Sequence, residues 1–154
     1  MNVKNVFCRA KKMDGGEWVS GAVCYDPAND KYYIINMTED HISPIAFHQR
    51  LNPQTVGLYS GLHDKNNMRI FDGDIARVKY EGKIYIGVIQ YDAYGAFIFV
   101  ARNFGWIPLY KLFSDTDIEK TINQNPLNDY QVTAVEIIGN IIDNDIEDFM
   151  GGAK

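Results

Sequence analysis

The sequence predicts a mainly β protein: a small barrel behind a β-rich N-terminal extension, with one short helix near 114–123. Three observations predict it. Aromatic residues make up 13% of the 154 residues, with ten Tyr and eight Phe, types that fit the half-buried surface of a strand. Apolar residues fall in short runs, several alternating with period two. Gly, Asn and Asp clusters break those runs at short spacing, as hairpins in a small barrel require.

Residues 3–9 read as a first strand and 17–25 (EWVSGAVCY) as its hairpin partner, with Asp14, Gly15 and Gly16 in a turn that admits positive φ. Residues 26–30 form a polar turn and 31–37 (KYYIINM) a third strand. Residues 38–43 read as a loop, while 45–51 (IAFHQRL) fit a short helix or a strand. Pro53 ends that segment and opens an extended stretch to Tyr59.

Residues 61–67 (GLHDKNN) form a turn, in which Asn66 and Asn67 suit left-handed hairpin positions. Asp72, Gly73 and Asp74 form a second turn. Over 75–80, Ile75, Arg77 and Lys79 fall on one side of a strand, and Ala76, Val78 and Tyr80 on the other. Glu81 and Gly82 turn the chain into 83–91 (KIYIGVIQY), 92–95 turn it into 96–101, and 103–105 into 106–109. Residues 110–123 hold the best helix candidate, with Ser114 or Asp115 as its cap and acidic residues in its first turn. A proline-containing loop fills 124–129. Residues 131–142 alternate as a strand with a bulge at Gly139, and a polar tail covers 143–154. The whole chain, 1–154, therefore reads as one domain: extension over about 1–56, barrel over about 57–142, then the tail.

The net charge of −5 and pI near 5.1 count against a grip on nucleic acid over the whole surface; a local basic patch is the form such binding would take. Cys8 and Cys24, with no histidine at ligand spacing, read as reduced thiols and not as a zinc site. The first residues, MNVKNVFCRAKK, lack the apolar core of a signal peptide, and no apolar run reaches membrane-spanning length. A cytoplasmic protein with no membrane partner is expected.

Asp64, Asp72 and Asp74 invite a metal reading. An EF-hand begun at Asp64 fails, because Met68, Arg69 and Ile75 fall at its fifth, sixth and twelfth positions. Asp64 and Asp72 are instead expected to accept backbone N–H bonds and shape turns. The acidic stretch 143–148 (DNDIED) also lacks the EF-hand glycine. His41, His48 and His63 have no metal-ligand spacing, and the pairing of His63 with Asp64 has no nucleophile motif to serve. No glycine-rich phosphate loop is present. No catalytic residue, metal or cofactor is expected. Tyr80, Tyr85, Tyr91, Tyr94, Phe97, Phe99, Phe104 and Trp106 either fill a barrel interior or offer rings to a partner. The candidate interaction surface is Arg77, Lys79, Tyr85, Tyr94, Arg102 and Trp106.

Three stretches, in order along the chain, resemble one family. Arg9-Ala10-Lys11 followed by Gly16-Glu17-Trp18-Val19-Ser20-Gly21 is similar to an RGK…GEWVYG opening, with Ser20 where an aromatic is usual. Residues 53–67 (PQTVGLYSGLHDKNN) are similar to TVGQ-[FY]-TGL-x-DKNG, with Leu58, Ser60 and Asn67 in place of Gln, Thr and Gly; residues 69–75 (RIFDGDI) then resemble EI-[YF]-EGDIV. Residues 137–144 (IIGNIIDN) resemble VIGNIHDN. These are the motifs of the YopX family of phage and prophage proteins. The resemblance implies an SH3-like β-barrel with added elements, a phage or prophage origin and self-assembly. It implies no catalytic residues. Gly61, Asp64, Lys65, Asp72, Gly73, Asp74, Gly139 and Asn140 are its turn residues, read as structural.

The leading expectation is a non-catalytic accessory protein in the cytoplasm of a bacterial host. It would act through contacts with its own copies or with a phage or host protein, using strand edges and an aromatic hairpin surface. A nucleic-acid-binding module is the alternative. A metal-dependent hydrolase built on the three aspartates stands third.

Overall fold

A computed structural model describes residues 7–35, 48–123 and 130–150. The expected loops over 38–43 and 124–129, and residues 45–47 of the ambiguous 45–51 segment, lie outside those residues; of the remainder, His48–Arg50 is strand and not helix. The chain divides between Tyr59 and Ser60 into two compact units.

The first unit is antiparallel. Strand β1 (Cys8–Lys11) pairs β2 (Trp18–Asp26), β2 pairs β3 (Lys31–Ile35), and β3 pairs β4 (His48–Arg50). The start of β5 (Gly57–His63) pairs the other edge of β1, with Leu58 opposite Cys8. Alternation puts Ala10, Val19, Val23 and Ile34 on one face, where they pack with Leu51, Tyr32 and Val56. The stretch after Pro53 is not extended at first, as expected, but a 3-10 turn over Pro53–Thr55. Asn52 causes this: its side chain accepts the Gln54 N–H at 3.1 Å, and proline suits the first position of such a turn.

The second unit holds the rest of β5, then β6 (Arg69–Phe71), β7 (Asp74–Tyr80), β8 (Lys83–Tyr91), β9 (Phe97–Ala101), β10 (Gly105–Pro108), α1 (Asp115–Asn123), β11 (Tyr130–Gln131) and β12 (Val135–Asn140). The expected turn over 61–67 shrinks to 64–67, because Leu62 and His63 stay in β5 and pair in parallel with Tyr130 and Gln131. The helix starts where a capping box sets it: the Ser114 hydroxyl accepts the Asp117 N–H at 3.1 Å, and the Asp117 carboxylate accepts the Ser114 N–H at 3.0 Å.

Five strands form a sheet in the order β10-β9-β8-β7-β12. Its inner face buries Ile89, Phe99, Ile107, Ala76, Val78 and Val135 against Ile70, Leu109 and Val132. Strand β8 is shared by two pairings: Val88 faces Ile75 on β7 and Val100 on β9. Gly87 permits the close approach there, since a Cβ at this position would lie 2.8 Å from the Phe99 ring. The mainly β class with one helix is as the sequence predicts. The closed barrel is not: among the described residues no pairing joins β10 to β12. The physical reason lies at both edges. Strand β10 is four residues long and ends in Pro108, and the outer edge of β12 is occupied by a turn.

Candidate functional site

That turn is 64–67, and Asp64 builds it. One carboxylate oxygen accepts the N–H groups of Asn66 and Met68, each at 2.8 Å. The other accepts the N–H of Ile137 on β12, also at 2.8 Å. The side chain is fully buried. Next to it, the Lys65 N–H donates to the Val135 carbonyl at 2.9 Å, and Asn67 takes a positive φ of 65°. The turn thus bonds to β12 as a further strand would, and it delivers the Lys65 side chain to the outer face of the sheet.

Cross-strand register does the rest. Glu136 lies opposite Arg77, and Ile84 opposite Lys79, all on the outer face. Glu136 accepts from Lys65 at 2.7 Å and from Arg77 at 3.2 Å. Lys65, Arg77, Lys79, Ile84, Thr133, Ala134 and Glu136 line a pocket of about 270 Å³. Three cations surround one carboxylate, so the pocket carries an excess of positive charge in a chain whose net charge is −5. The Lys65 hydrogen bond, and secondarily its charge and Arg77, hold the Glu136 carboxyl below the usual glutamate value of 4.5.

A lowered folded pKa sets the sign of the pH effect. The network contributes fully above pH 4.5 and loses its contribution as the pH falls from there through the lowered value. In a carbon-detected NMR titration, Glu136 is expected to titrate below 4.5 in the native protein and to move back toward the usual range in Lys65→Met. An unchanged titration in that variant would remove Lys65 as the cause.

Of the six expected surface residues, the structure brings Arg77 and Lys79 together in this pocket, beside Lys65, which the sequence reads as a structural turn residue. Tyr85 packs on the core at 4.7 Å from the Phe104 ring. Tyr94 is 95% exposed at the β8–β9 turn, and Trp106 is 66% exposed on β10. Arg102 pairs with Glu147. Sequence reasoning missed Glu136 and Ile84. Glu136 sits 71 residues after Lys65 with no local motif, and only the β7–β12 register reveals it.

The remaining turn residues have local tasks. Asp72 accepts the Tyr91 N–H at 3.0 Å, and the buried Asp74 accepts the Phe71 N–H at 2.7 Å. Gly61 and Gly73 hold positive φ. Gly139 follows the register shift in β12, and Asn140 accepts the N–H groups of Ile142 and Asp143 through its side chain. Among the described residues, no group of three His, Cys, Asp or Glu side chains is placed to hold a metal.

The family model described as YopX protein matches residues 8–146. No curated protein matches the chain.

Proposed function

This chain belongs to the YopX family, and from that premise we propose that it is a phage or prophage accessory protein working in the bacterial cytoplasm. It works without catalysis, through protein contacts that include its own copies. One observation carries this reading: the outer face of the five-stranded sheet leaves large apolar groups in water. Register places Trp106, Val100, Val88, Ile86 and Ile84 on that face, and Trp106 and Ile84 are 66% and 65% exposed. Exposed apolar groups beside a charged rim are the mark of a contact surface. Strand edges serve less well than the sequence suggests, because the turn at Asp64 covers β12 and Pro108 blunts β10. An opened SH3-like barrel fits the sheet order and the 3-10 turn at Leu109–Leu112 after β10.

The nucleic-acid reading ranks second, since Arg77 and Arg102 are engaged by Glu136 and Glu147. The hydrolase reading ranks last, since the Asp64 oxygens are spent on backbone N–H groups. Replacing Trp106 and Ile84 together by Ser tests the reading. The expected result is a fall to monomer mass with an unchanged circular dichroism spectrum. An oligomer indifferent to both changes would remove this face as the interface.

A further inference from the structure

We propose that the pocket of Lys65, Arg77 and Lys79 receives the acidic segment 143–148 of a second copy of this chain. The inference rests on the self-contact reading and names the charged half of the contact. The pocket offers three cations against one carboxylate, with the exposed Ile84 in its wall. The segment offers Asp143, Asp145, Glu147 and Asp148, all exposed, and directly before them Ile141 and Ile142, 50% and 42% exposed. Each surface therefore pairs charge with an exposed isoleucine, and the charges are opposite.

The segment is also held in a defined shape. The Asn140 side chain accepts the Asp143 N–H at 2.9 Å. The Asp145 side chain caps the 3-10 turn Ile146–Asp148 by accepting the Glu147 N–H at 3.0 Å. Docking a pre-shaped segment loses little conformational freedom. None of its residues lines the pocket of its own chain. Glu147 is held by Arg102 of the same chain, Asp143 accepts from the Asn140 amide and Asp145 caps the turn, which leaves Asp148, at the end of the turn, as the carboxylate assigned to Lys79. Salt screens such a contact, so it sets affinity at low ionic strength, while the apolar face keeps copies together at high ionic strength.

Sedimentation of the full chain at low salt tests this with Lys79→Glu, Asp148→Lys and their equimolar mixture. Each single variant should self-associate about tenfold more weakly than the native chain, the scale of one close charge pair. The mixture should regain native affinity, because each chain then meets a complementary charge on the other. Native affinity in Lys79→Glu, or a mixture no tighter than its components, overturns the pocket contact while leaving self-assembly standing. A native chain that stays monomeric at all concentrations overturns both. Loss of bound nucleic acid in Lys79→Glu, with no change in mass, would make the pocket a phosphate site and overturn the contact.

Discussion

Asp64→Asn is expected to lower folding stability by about 3 kcal/mol, although it changes one atom. The carboxylate is fully buried and accepts three backbone N–H groups, two on one oxygen and one on the other. An amide has one acceptor oxygen and an NH₂ group. Whichever way it is turned, a buried N–H of Ile137, or those of Asn66 and Met68, must face another donor. Hydrogen bonds to a charged group contribute roughly 1.5–3 kcal/mol, and a stranded buried donor costs about 1–3 kcal/mol more. Urea denaturation gives the number directly. A loss under about 0.5 kcal/mol, the range of an ordinary surface change, would mean that the carboxylate does not clamp the turn to β12. The same logic predicts that a chelator leaves the native melting temperature unchanged, whereas a metal-bound carboxylate would show a shift.

Gly87→Ala is expected to cost about 3 kcal/mol, for a different reason. A methyl group there would lie 2.8 Å from two carbons of the Phe99 ring and would press on the Val100 carbonyl. Phe99 is fully buried and central to the core, so it has no space to yield. Overpacking a tight core costs roughly 1–3 kcal/mol, and a backbone contact puts the effect at the top of that range or above it. Gly87→Ala with Phe99→Leu should recover little in thermal or urea melts, because the carbonyl contact remains. A double variant as stable as Phe99→Leu alone would show that the ring, and not the β8–β9 backbone distance, is what demands glycine.

What could be read in the sequence was local. The run 83–91 is β8 to the residue, because the Glu81–Gly82 turn marks its start and the turn over 92–95 its end. The helix was legible because Ser114 stands at a cap position with acidic residues in the turn that follows; the reciprocal bond to the Asp117 carboxylate was added by the structure. The local half of the Asp64 role was legible for the same reason, since its bonds to Asn66 and Met68 span two and four residues. The bond to Ile137 spans 73 residues, and no turn chemistry announces it. Closure failed as an expectation on the same ground. A count of strands and turns does not say what occupies the outer edge of the last strand, and here a buried carboxylate does. The candidate pocket was half visible: alternation put Arg77 and Lys79 on one side of β7, but the pairing that adds Glu136 and Ile84 is tertiary.

The mass of the purified chain in solution tests the contact reading most directly. It should be read by light scattering at low and high salt, with the nucleic-acid-to-protein absorbance ratio recorded alongside. A defined oligomer that persists at high salt and carries no nucleic acid is the predicted result, because apolar contacts are not screened by salt. A monomer that co-purifies with nucleic acid and sheds it as salt rises would contradict the reading and put the nucleic-acid module in its place.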